Sequence, residues 1–224
     1  MPEDANPKLD KSSMQNYLYF TLPMALNYQR NSYSLWQSAL KTYNDKETSF
    51  IFSPKECLTH SFEETRQAIT KYKVALQKQK QTEIWIRLCE TFEERFDGDV
   101  RRLFDENNND IQQIKHYIQN EHKKEYPYLS GEKICNYWLY VICQYTDRCF
   151  QNINELTVAP DTHVCKASLK LGVITEDEYN SANVQEIVIN AWKKLFENTE
   201  YNPIDIHTPL WLWSRGGFAD IGFE

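Results

Sequence analysis

Glycine is scarce in this chain of 224 residues, with six against eight prolines. So few backbone punctuators leave little room for the closely spaced turns that a sandwich or barrel of short strands requires. Period-two alternation is scarce as well. No Cys-x-x-Cys pair occurs among Cys57, Cys89, Cys135, Cys143, Cys149 and Cys165, and no cysteine lies beyond Cys165. That excludes the closely spaced ligand sets of a structural zinc or a C-terminal iron–sulfur loop, so the thiols are expected to be reduced and mostly packed. No apolar run approaches the roughly 20 residues of a membrane helix, and the N-terminus lacks a signal-peptide core. The expected location is therefore cytoplasmic, nucleoid-associated in a prokaryote. Positive charge is in deficit too: 25 Lys and Arg against 32 Asp and Glu give a net charge of −7. Phosphate contacts need cations, so this balance opposes non-specific nucleic-acid binding by the surface as a whole. It leaves room for local basic faces at Lys71, Lys73, Lys78 and Lys80, at Lys115, Lys123 and Lys124, and at Arg215, each of which also reads as a solvated helix face.

What the chain does have is aromatic mass, with 6 Trp, 14 Tyr and 11 Phe. That is enough to core one large domain or two small lobes sharing a cleft. Apolar residues recur at helical spacing. Ile84, Leu88, Phe92 and Phe96 form one stripe ending before Gly98, and Ile134, Trp138, Val141, Ile142 and Tyr145 form another that begins after Gly131. Val184, Ile187, Val188, Ala191, Trp192, Leu195 and Phe196 form a third, on one face. Helix starts are legible in "SPKE" (Ser53 to Glu56) and "TEDE" (Thr175 to Glu178), where a hydroxyl residue precedes an acid by three positions. Gly172 suits a left-handed close to the helix in "CKASLKL". The polar "DENNND" marks a break, there is no internal repeat, and the first dozen residues are expected to fray. The predicted fold class is all-α.

Residues 111 to 146 read as helix, turn, helix, with Pro127 and Gly131 bracketing the turn. The unpaired amides and positive dipole end of the second helix favour an anion, and a glycine there lets backbone approach a phosphate. Many such turns bind nothing, so the pattern is weak alone. Lys133 falls in the first turn of that second helix, where a cation opposes the dipole at a cost of about 0.3–1 kcal/mol. The positive end and partial burial would lower the lysine pKa and free a nucleophilic amine; a solvated surface lysine is the plainer reading. Asp161 follows Pro160 and precedes the apolar positions Val164, Ala167, Leu169 and Leu171. It reads as an N-cap. Should the two helices pack side by side, it would also share a cleft with Lys133.

The Lys of "LSGEK" followed by "APDTHV" resembles the helix-hairpin-helix DNA glycosylase/lyase superfamily. The segments "LPMALNYQRNSYSLWQSALKTY", "APDTHVCKASLKLGVI" and "NAWKKLFENTEYNPIDIHTPLWLWSRGGF" are similar, in the same order, to the archaeal-type 8-oxoguanine DNA glycosylases, and "PLWLWSR" is the most specific piece. The resemblance implies a two-lobed all-α fold, spanning the whole chain as one glycosylase-like domain, with the active site in the interlobe cleft. It implies Lys133 as Schiff-base nucleophile and Asp161 as essential aspartate. It further implies Trp211 as a pocket tryptophan stacking on an extruded base, with Trp36 and Trp138 as additional stacking candidates whose other role is core packing. Ser130 and Gly131 would contact DNA, and His163 would be a helix-face or phosphate-contacting residue. His207 stands where close relatives carry an acid that helps read the oxidised base, so specificity for 8-oxoguanine is open; Asp205, two residues away, would face elsewhere on a helix.

The expected activity is excision of an oxidised purine followed by strand cleavage. The expected partner is double-stranded DNA containing a damaged base, with no membrane, cofactor or metal, and the chain is expected to act as a monomer. Two other readings stay open at this point: a modified-nucleoside hydrolase, which the acidic net charge favours, and a non-catalytic DNA-binding relative.

Overall fold

Helical periodicity is realised as helix throughout. A computed structural model describes residues 1–219, and among them there is no strand. An isolated parallel bridge pairs Asp110 with Gln151. The described residues divide into two compact units, Met1–Asn152 and those from Ile153 onward. No helix among the described residues is long and apolar enough to cross a membrane.

The first unit carries α1 (Met14–Thr21), α2 (Ser32–Asn44), α3 (Pro54–Cys57), α4 (Phe62–Lys71), α5 (Lys78–Phe96), α6 (Val100–Glu106), α7 (Ile111–His116) and α8 (Glu132–Tyr145). Its centre is α1, where Tyr17, Leu18, Tyr19 and Phe20 are all buried, so apolar side chains point outward around the whole helix. A helix apolar on every side must be enclosed by others. Trp36, Trp85, Trp138, Phe92, Phe96 and Phe104 complete the core, each side chain contributing about 1.5–3 kcal/mol by burial. Two of the three indoles find partners for their N–H groups: Trp85 Nε1 donates to the Ile51 carbonyl at 2.8 Å, and Trp138 Nε1 to Thr21 Oγ1 at 3.0 Å. At the end of α5, Asp97 (φ 51°) and Gly98 (φ 76°) turn the chain with two successive left-handed residues.

The second unit carries α9 (Thr162–Lys170), α10 (Glu176–Tyr179), α11 (Val184–Phe196) and α12 (His207–Arg215). Here α9 packs against α12, α11 and α10. Trp192 Nε1 donates to Ser168 Oγ at 2.9 Å, joining α11 to α9. Gly172 (φ 70°) closes α9 as its sequence suggests, with the Val173 amide donating back to the Ser168 carbonyl at 2.9 Å. The Thr175/Glu178 capping box opens α10.

Two expectations need correction. The N-terminal segment does not fray: Pro2–Asp4 forms a short 3-10 turn, the Glu3 side chain is buried, and Tyr137 donates to Glu3 Oε1 at 3.2 Å. Tyr19 donates to the Ala5 carbonyl at 2.8 Å and Arg101 to the Ser12 carbonyl at 2.8 Å, so both ends of the segment are tied down. The apolar stripe of α11 is only partly used. Val188 and Trp192 are buried, whereas Leu195 is 55% exposed.

Four of the six cysteines, Cys57, Cys89, Cys135 and Cys165, are buried as packed thiols.

Candidate active site

Asp161 is the N-cap of α9. Its backbone is extended (φ −106°, ψ −174°), and its Oδ1 accepts the His163 and Val164 amides, each at 2.9 Å. Two of the amides that a helix start leaves without intrahelical partners are thereby satisfied. The other carboxylate oxygen, Oδ2, accepts the indole N–H of Trp211 at 2.9 Å. The carboxylate is thus held from two sides, by its own helix and by α12, and Asp161 remains only half-buried.

The lead-in to Asp161 is also fixed. Leu156, Val158 and Ala159 are buried, and the Ala159 amide donates to His207 Nδ1 at 3.3 Å. His207 is 4% exposed and begins α12. Accepting at Nδ1 puts the proton of the neutral ring on Nε2. The imidazole therefore buttresses the backbone that delivers Asp161, a supporting role the resemblance read in the sequence did not suggest. Asp205 is engaged in its own turn. Its Oδ2 accepts the Asn202 amide at 2.9 Å and closes the capping box of the 3-10 turn Pro203–Ile206.

Around the carboxylate lies a small aromatic and polar cluster. The His163 ring meets the Trp211 ring edge to face at 5.6 Å and 69°, and its Nδ1 lies 3.2 Å from Ser214 Oγ. The Arg215 guanidinium stands 5.1 Å from the Trp211 ring centre, a cation–π contact. Trp211 is 9% exposed, so its ring is already largely covered. Ser214 and the Trp211–Arg215 pair were not singled out as site residues from sequence. The signal available was the spacing in "WLWSR", where Arg215 follows Trp211 by four residues and so lies one helical turn along the same face.

The first unit holds the remaining candidates. Lys133 is the second residue of α8 and is exposed. Gly131 is the N-cap, it offers no side chain to cap this helix start, and Glu132 supplies the acid of the first turn. Gly131 has φ −64°, which any residue adopts. Its value is space, because a Cβ there would meet the Tyr128 carbonyl at 3.1 Å. The left-handed residue of the turn is Tyr128 (φ 61°). Ser130 is 7% exposed, with its hydroxyl donating to the Lys123 carbonyl at 3.3 Å, so that group serves the turn itself. The turn is longer than the sequence suggests: a π-type segment, Tyr117–Glu121, continues α7, and residues 122–131 then lead to α8.

Trp36 and Trp138 are both 0% exposed. Neither ring offers a face to an extruded base, and core packing is the role they have.

A search of protein-family models, of curated proteins and of solved structures finds no match to this chain.

Proposed function

We propose that the protein is a bifunctional DNA glycosylase/AP lyase that excises an oxidised purine, 8-oxoguanine first among them, through a lysine Schiff base. Part of this proposal is the finer architecture: a two-lobed helix-hairpin-helix glycosylase-like fold with the active site in a cleft between lobes. The observation that carries the reading is the Asp161 carboxylate, clamped by two helix amides and the Trp211 indole. A carboxylate so constrained can stabilise developing positive charge without reorganising during the reaction. The exposed Lys133 at the uncapped start of α8 supplies the second group the chemistry needs.

In the proposed reaction the damaged nucleotide leaves the stack, since its glycosidic carbon is unreachable within a duplex. Asp161 stabilises the oxocarbenium-like sugar and takes part in deprotonating Lys133. The neutral amine attacks C1′, the C1′–N bond breaks, and the base departs with the bonding pair and a proton. Ring opening gives an imine between Lys133 and C1′. The imine acidifies the C2′ proton; its loss breaks the C3′–O bond, cutting the strand by β-elimination. The reading requires Lys133 and Asp161 to act on the same deoxyribose.

Borohydride added during incubation with 8-oxoguanine duplex tests this directly. The expected result is a covalent protein–DNA adduct in the wild type and none in Lys133→Ala. Absence of an adduct with every oxidised or abasic duplex would overturn the proposal. The net charge of −7 favours a second reading, a modified-nucleoside hydrolase, because a free nucleoside needs no phosphate grip. Release of base from free nucleosides that depends on Asp161 and survives Lys133→Ala would select it.

A further inference from the structure

Positive charge in this acidic chain is unevenly spread. Residues 65–82 contain Arg66, Lys71, Lys73, Lys78 and Lys80 and no Asp or Glu. Arg66 is paired with Glu63 at 2.6 Å, and Lys71 with Asp45 and Glu47 at 2.7 and 2.8 Å. Lys73, Lys78 and Lys80 are exposed around the turn that leads into α5. Residues 11–44 are likewise free of acids.

These segments meet at two tyrosines. Arg30 joins the turn after α1 to the turn after α4, donating to the Val74 carbonyl at 2.5 Å and the Lys73 carbonyl at 3.1 Å. Beside this joint, the Tyr28 and Tyr128 rings lie 5.5 Å apart at 56°, and Lys80 Nζ stands 5.2 Å from the Tyr128 ring centre. Tyr28 is 49% exposed and Tyr128 is half-buried. The left-handed backbone of Tyr128 is an uncommon conformation for a bulky residue, kept only where the surrounding structure enforces it. The nearby acids have other partners: Glu125 accepts from Arg95 at 2.8 Å, and Glu83 from Gln79 at 2.6 Å.

We propose that Tyr28, Tyr128 and Lys80 form a stacking site for an unpaired base of a nucleic-acid strand, with Lys73 and Lys78 meeting the flanking phosphates. The proposal rests on the reading that the protein acts on DNA. An aromatic pair with one exposed and one half-buried ring, and a cation beside it, matches a nucleotide, which presents a π face and an anion together. Extruding one nucleotide from a duplex supplies such a base, because its former partner is left unpaired. None of these groups belongs to the Lys133 and Asp161 chemistry, so the site adds grip without altering the bond-breaking steps.

Fluorescence anisotropy with labelled oligothymidylate, and with an abasic strand of equal length, tests the site. The wild type should prefer the base-bearing strand by about tenfold. Tyr28→Leu combined with Tyr128→Gly should abolish that preference; glycine relaxes the turn, so folding is not at risk. Lys80→Gln should weaken both strands and lower the slope of log affinity against log salt by about one. Equal affinity of the wild type for the two strands, or a preference that survives the double variant, would overturn the site. Borohydride trapping run in parallel separates the two readings. An adduct without a base preference removes the stacking site alone, and a base preference without an adduct removes the glycosylase reading alone.

Discussion

The indole N–H of Trp211 donates to Asp161 Oδ2 at 2.9 Å, while Oδ1 of the same carboxylate caps α9. The tryptophan therefore acts on the aspartate through its polar edge, and its ring is covered by His163 and Arg215. Trp211→Phe keeps the ring and deletes the donor. Hydrogen bonds to charged groups are worth about 1.5–3 kcal/mol, so on the glycosylase reading base release should slow by about ten- to hundredfold. The Michaelis constant for DNA should hardly move. Single-turnover kinetics would check this, and an effect confined to DNA affinity would show that the ring serves as a stacking platform instead.

On the proposed reading Asp161 serves stability and chemistry at once, and the two can be separated. Asp161→Ala removes the cap of α9 and should cost about 0.5–2 kcal/mol in denaturant titrations. Asp161→Ser restores a capping oxygen and should recover most of that stability. Neither variant carries the carboxylate, so neither should release base. Substantial base release by Asp161→Ser would assign the residue to capping alone.

His207 extends the same logic to the chain entering the site. Its ring accepts the buried Ala159 amide at 3.3 Å, two residues before Asp161. His207→Leu fills comparable space and leaves that amide without this acceptor, at a cost of about 1–3 kcal/mol. The expected outcome is a lower denaturation midpoint together with slower base release. The second effect should appear even where the protein remains fully folded.

How much of this was legible in the sequence depends on the range of the forces involved. The caps at Asp161, Thr175 and Gly172 are local, fixed within a few residues, and they were readable. So was the all-helical class, because amphipathic spacing is also local. Long-range partners were not. Nothing in the pattern around His207 announces the Ala159 amide 48 positions earlier, and the resemblance read in the sequence pointed to base reading instead. Trp36 and Trp138 carry the same residue type as Trp211, and only packing sorts the two buried rings from the one beside the carboxylate. Glu3 shows the failure most plainly. An acid three residues from the chain start reads as solvated, yet it is buried and its partner Tyr137 lies 134 positions away.

That buried acid makes stability depend on pH. Burial raises the Glu3 carboxyl from the ordinary range to about 7. The folded state therefore holds this proton between the ordinary carboxylate pKa and about pH 7, whereas the unfolded state has released it. With more protons bound in the folded form, stability falls as pH rises through that window and levels off above it. Glu3→Gln removes the ionisation. At about pH 8 the variant should unfold at higher temperature than the wild type, by an amount equivalent to about 3 kcal/mol. Near pH 4, where the wild-type side chain is neutral in both states, the difference should largely disappear. Thermal melts of the two proteins across this range decide the matter, and a gap that stays constant with pH would place the Glu3 carboxylate in water.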